Sequence, residues 1–168
     1  WYPDETIQHA GIVTGLGGYA GHSHKYKKKG GSGYLFRTST VQDFSGVTGA
    51  CLLVKTAVYD EMHGLDEQFA LAFNDVDFCL RVRDAGYRIA WTPYAELIHY
   101  ESKSRGGDEK DPVKAARFAA EQQRLYTIHG KENILDDPYY NPNLTRDRED
   151  FSESDDLRRL KAVSYTHL

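Results

Sequence analysis

The chain has 168 residues, 40% hydrophobic and 27% charged, with a formal net charge of −4 and a pI near 6.0. This is the composition of an ordinary folded domain; it argues against disorder throughout and against a global electrostatic attraction to nucleic acid or to an anionic membrane. No apolar run approaches the roughly 18 residues of a membrane span, and Cys51 and Cys79, each inside an apolar run, read as reduced core residues of a cytoplasmic protein.

Trp1 opens the chain and Met62 is its only methionine, so the start is expected to lie within a longer protein. Residues 5–14 (ETIQHAGIVT) form a β-prone run, and Gly15, Gly17, Gly18 and Gly21 then mark a turn-rich segment. His22 and His24 form an H-x-H pair without a third nearby ligand and read as exposed. Residues 25–33 (KYKKKGGSG) are basic and rich in Gly and Ser, which predicts a solvated surface loop, with a phosphate or lipid contact as the rival reading. Residues 47–55 (VTGACLLVK) are nearly continuously apolar and predict a buried strand; a short helix over 56–62 follows and stops at Gly64.

A helix from Asp75 to the turn at Gly86 is the best-defined element. At about 100° per residue, Asp77, Arg81 and Asp84 share a polar stripe expected to face solvent or to stand one layer behind a site, with Asp77 and Arg81 in i, i+4 register. Asp75 projects with Cys79 and Val82, inward, where unpaired N–H groups and the helix dipole favour its ionised form. The rival is that Asn74 and Asp77 merely cap the helix. A strand over 87–99 ends at His99, and a lone histidine there is most simply a hydrogen-bonded structural residue. Residues 101–109 (ESKSRGGDE) read as a loop, residues 114–129 as an amphipathic helix offering Phe118, Leu125 and Ile128 for packing, and residues 137–145 (DPYYNPNLT) as an ordered turn. Residues 151–168 read as a charged, disordered tail whose last seven, 162–168, are set aside as non-native.

Several of these stretches match one pattern in order: IQHAG at 7–11, TGA at 48–50, GLDEQF at 64–69, FNDVDFCLR at 73–81, AGY at 85–87 and HYES at 99–102. The chain resembles the acceptor half of a family 2 glycosyltransferase of the GT-A fold, similar to bacterial, rhamnosyltransferase-like members of cell-surface polysaccharide synthesis. The resemblance implies an α/β, Rossmann-like partial domain over residues 1–150, a mixed sheet flanked by helices, with the N-terminal nucleotide-binding half and its D-x-D absent. Asp75-Val76-Asp77 is not read as that D-x-D, because it follows GLDEQFALAFN and runs straight into a helix instead of ending an apolar strand.

By the same resemblance Asp75 is the catalytic base of an inverting sugar transfer, with Asn74 in place of the commoner Glu. Asn74, Asp77, Arg81, Thr48 and Gly49 fall on the acceptor side or just behind it, and Lys103 and Arg105 on the donor diphosphate. His99, in its H-x-x-S context with Ser102, becomes a ligand of Mg²⁺ or Mn²⁺. The chemistry agrees, since an acceptor hydroxyl needs a carboxylate to take its proton. The implied partners are a nucleotide-sugar donor and a glycan or lipid-linked glycan acceptor, with no nucleic acid, at the inner face of the plasma membrane; peripheral membrane association would come through segments outside this chain. The fragment alone is expected to be inactive. Two other classes are open: a non-catalytic piece that binds glycan or a partner, and a metal-dependent hydrolase with Asp75, Asp77 and His99 as ligands. The hydrolase is disfavoured, because Asp77 projects about 160° from Asp75 around a helix.

Overall fold

In the computed structural model, which describes residues 1–100 and 111–155, two small antiparallel sheets and four helices surround three adjoining apolar clusters. Strand β1 (Ile12–Thr14) pairs with β2 (Ala20–His22), and β3 (Gln42–Asp43) with β4 (Ala90–Trp91). The helices are α1 (Thr56–Glu61), α2 (Asn74–Asp84), α3 (Pro112–His129) and α4 (Lys131–Leu135).

The mixed α/β character expected from the sequence is present, whereas a single mixed sheet is not formed among the described residues. The predicted strand over 47–55 is absent: the Thr48 hydroxyl accepts from the Ala50 N–H at 3.3 Å and closes a 3₁₀ turn, Gly49–Cys51, after which Leu53 is fully exposed at 101%. A local side-chain bond of this kind offers the backbone an alternative to a ladder. Cys51 is therefore exposed, contrary to its predicted core position, and only Cys79 is buried; both are free thiols. The predicted strand over 87–99 shrinks to Ala90–Trp91, because Pro93 has no N–H to donate and the Thr92 hydroxyl takes the Tyr94 N–H at 3.3 Å. Residues 5–14 pair as a strand only over Ile12–Thr14.

Helix α2 carries the core. Phe73, Val76 and Leu80 pack with Ile12, Phe69, Leu125 and Ile134, while Phe78, Cys79 and Val82 pack with Val58 and Ile89. Burial pushes the Cys79 thiol up to about 11, which leaves it an inert packing group. Helix α3 begins with the Asp111 carboxylate accepting from the Val113 N–H at 2.9 Å and Pro112 in the first turn. Its Leu125 is fully buried, but Phe118 only edges onto Tyr19 and Phe73, and Ile128 is exposed. The turn predicted over 137–145 is well packed: Tyr140 and Leu144 are core residues, and the Asp137 carboxylate accepts from the Thr14 and Tyr139 N–H groups, each at 2.7 Å. Phe151, where the sequence predicts a tail, is buried against both.

Gly11 is one place where only glycine fits. Its φ is +100°, and a Cβ there would meet the Phe44 ring at 2.5 Å. Gly11→Ala is expected to lower stability by about 2–3 kcal/mol through overpacking and backbone strain together, read from denaturant unfolding midpoints at unchanged m-value.

Candidate active site

The start of α2 is unusual. Phe73, the residue before the helix, sits in the left-handed region at φ 63°, where a bulky side chain costs on the order of 1–3 kcal/mol. No side chain caps the helix from that position, so the predicted N-cap Asn74 is instead the first helical residue, and its Oδ1 accepts from the Asp75 N–H at 2.8 Å. Asp75 then uses its carboxylate twice: Oδ1 accepts from the Val76 N–H at 2.9 Å and Oδ2 from the Gly49 N–H at 2.8 Å. The second bond joins residues 48–50 to 74–75, two stretches that are far apart in sequence. Asp75 is half-buried, and the neighbouring Gly49 and Ala50 are exposed, so that side of the carboxylate is open.

Helix α3 pins this start from two sides. The buried Glu121 accepts the Ala72 N–H at Oε2, 2.6 Å away, immediately before the strained Phe73. One turn beyond Asp75, Asp77 is only 1% exposed; its Oδ1 is 2.8 Å from Nε2 of the buried His129, and its Oδ2 accepts from Nε and an Nη of Arg81 at 2.9 and 2.8 Å. Arg81 also donates to the carbonyls of Met62 and Gly64, which locks the turn after α1 onto α2. Burial alone would push the Asp77 carboxyl up, but the hydrogen bonds from His129 and Arg81 and their charge outweigh it and hold it below the usual carboxylate range.

The polar stripe read from the sequence holds at Asp84, which is exposed, and at the partly exposed Arg81, whereas Asp77 does not face solvent. Asp77 faces α3 and is the most buried acid of the helix, because Arg81 and His129 satisfy its oxygens; Asp75 lies nearer the surface. Glu121 and His129 escaped the sequence reading. Their signal was present in the spacing, since Glu121, Leu125 and His129 fall at steps of four and share one face of α3.

A cavity of about 610 Å³ opens beside the Thr48–Cys51 turn, lined among others by Gln8, His9, Thr48, Leu53, Trp91 and His99. Nδ1 of His99 lies 2.8 and 3.0 Å from the two ends of the Gln8 side-chain amide, and the backbone N–H of His99 donates to the Trp1 carbonyl. His9 also lines the cavity: its Nε2 accepts from the Gly11 and Thr48 N–H groups, each at 3.3 Å, and burial, helped by neighbouring His22, pushes its pKa well below the usual imidazole value. Of the residues predicted to form the site, Thr48 and His99 line this cavity. Asp75 does not, and is joined to it through Gly49. Lys103 and Arg105 lie outside the described residues, as does Ser102.

The described residues do not fit a cation site. No three His, Cys, Asp or Glu side chains converge among them, His99 offers a single imidazole, and both Asp77 oxygens are committed to Arg81 and His129. The same commitment removes the hydrolase that would need Asp77 as a ligand. The H-x-H pair is no ligand set either: His24, expected to be exposed, is buried with Nδ1 on the Ser23 hydroxyl, and His22 Nδ1 meets the Gln8 carbonyl. No described helix is long and apolar enough to cross a membrane.

No family model matches the chain, and no solved structure matches it. Among curated proteins it is 48% identical over 152 residues to the uncharacterized protein y4gI of Sinorhizobium fredii and 34% identical over 145 residues to the O-antigen biosynthesis protein RfbC of Myxococcus xanthus. It is also 32% identical over 80 residues to the N-acetylglucosaminyl-diphospho-decaprenol L-rhamnosyltransferase of Mycobacterium tuberculosis. The three matches take in 90%, 86% and 48% of this chain but only 16%, 11% and 24% of the respective relatives, so the chain spans less than a quarter of the length of each. The names of the last two support a glycosyltransferase-like family for this chain.

Proposed function

We propose that this chain is the acceptor-side part of a family 2, GT-A glycosyltransferase that moves a sugar from a nucleotide-sugar donor to a glycan or lipid-linked glycan acceptor in cell-envelope polysaccharide synthesis. The single observation that carries the reading is the Asp75 carboxylate held 2.8 Å from the Gly49 N–H of the TGA turn. This joins the two matched motifs at one partly open carboxylate, which is what an acceptor hydroxyl needs nearby.

In the proposed step the acceptor hydroxyl loses its proton to Asp75 as its oxygen bonds to the anomeric carbon. The bond from that carbon to the diphosphate oxygen breaks, the electron pair leaves with the nucleoside diphosphate, and the anomeric configuration inverts. Gly49, in the turn that Thr48 closes, fixes the carboxylate, while Glu121, Asp77, Arg81 and His129 fix the helix that bears it. The divalent cation expected from the resemblance gains no support from these residues, and the step is written without it.

The test is a transfer assay on the protein encoded by the complete reading frame, offering a panel of nucleotide sugars, a rhamnosyl donor included, to a lipid-diphosphate-linked sugar and scoring the product by mass. The reading expects an acceptor one sugar heavier. Binding of the glycan without transfer from any donor would replace it with a non-catalytic role. A further expectation concerns the anchoring of α2: Glu121→Ala removes the acceptor of the Ala72 N–H and should lower stability by about 1–3 kcal/mol, read by thermal unfolding.

A further inference from the structure

The lysine-rich loop, for which the sequence offers a solvated segment or a phosphate or lipid contact, does not stand alone. His24, buried and stacked on Phe151 at 4.4 Å, ties two loops together: its carbonyl accepts the Lys27 N–H at 3.1 Å and its Nε2 accepts the Tyr34 N–H at 3.0 Å. Burial, then the charges of Lys27 and Arg37, lower the His24 pKa to about 4, so at neutral pH the ring is uncharged and can accept that bond. Thr38 closes the second loop by donating its hydroxyl to the Gly31 carbonyl at 2.6 Å. From this common base project the exposed Lys27 and Lys28, with Tyr26 64%, Leu35 75% and Phe36 65% exposed. Tyr26, Leu35 and Phe36 all have φ between 45° and 64°, a region such residues rarely occupy; Tyr26 is stacked on Tyr2 at 5.3 Å, while Leu35 and Phe36 are held outward at some expense in strain. Lys25 stands 5.1 Å from the Tyr26 ring centroid, while Lys29 is occupied by Glu96.

Lysines and outward apolar tips share one tied pair of loops, a local concentration of positive charge in a chain whose net charge is −4. We propose that the loops at 25–29 and 33–37 dock this chain on an anionic lipid surface, the lysines over the headgroups and Leu35 and Phe36 at the acyl boundary. The charge pairs with an anionic interface, and the apolar tips distinguish a bilayer from a soluble polyanion. The inference stands independently of the sugar-transfer reading.

The 168-residue chain is co-sedimented with vesicles of phosphatidylcholine alone and of phosphatidylcholine mixed with phosphatidylglycerol, at low and high salt. Binding is expected only to the anionic vesicles and to weaken with salt. Each lysine near such a surface is worth about 5-fold in affinity, so Lys27→Gln with Lys28→Gln should lose about 25-fold. Leu35→Ser with Phe36→Ser should weaken binding while leaving its salt dependence in place, and both pairs are exposed enough to leave the thermal unfolding midpoint unchanged. Equal binding to both vesicle types, wild-type binding by both double variants, or retention on heparin or DNA without vesicle binding would each overturn the proposal.

Discussion

Asp75→Asn should reduce the turnover of the complete enzyme by roughly 10²–10⁴, the usual contribution of a positioned general base, with donor affinity little changed. Asparagine keeps a carbonyl oxygen where Oδ1 or Oδ2 now stands, so it can still accept from the Val76 or Gly49 N–H. What it loses is the capacity to take a proton. Donor binding measured by calorimetry and initial rates at saturating donor separate the two effects, and a loss confined to the apparent donor affinity would move Asp75 out of the chemistry.

The largest effect on stability is expected at Asp77. Asp77→Ala strips both Arg81 and His129 of their carboxylate partner inside the α2–α3 contact, and breaking a buried pair by removing one member typically costs about 3–5 kcal/mol. Arg81 is partly exposed and keeps its bonds to the Met62 and Gly64 carbonyls, which places the expectation at the lower end, about 3 kcal/mol. The pH dependence has a definite sign. Because the folded-state pKa of Asp77 is held below its unfolded value, its contribution is fully present above the unfolded carboxylate range and is lost as pH falls through the folded value. Acid titration of unfolding free energy should therefore show a smaller loss in the Asp77→Ala variant than in the parent. An identical acid slope would mean that the pair contributes nothing.

Local signals carried the sequence as far as they are local. Helix α2 was legible because its apolar positions repeat at helical spacing and Gly86 follows it, and the turn over 137–145 because Pro and Asn crowd it. The strands were legible only as apolar runs. Whether VTGACLLVK pairs as a strand or bends depends on Thr48 capping its own turn, a choice that apolar content does not encode. The burial of Asp77 has a similar origin. A charged stripe is placed outward by default, and what turns Asp77 inward is a histidine 52 residues away whose imidazole meets it. His99 and Gln8, 91 residues apart, likewise meet through a contact that no spacing announces.

Asp75 is proposed as the chemically active carboxylate and Asp77 as the structural one. The most direct measurement compares single-turnover transfer with Asp75→Asn and Asp77→Asn in the complete enzyme at saturating donor, alongside their thermal unfolding. Asp75→Asn should lose transfer by roughly 10² or more at a nearly unchanged unfolding midpoint, while Asp77→Asn should lose stability and far less transfer. Equal, modest losses of transfer in both variants, with both destabilised, would contradict that assignment and reduce the acidic pair to a helix-capping device.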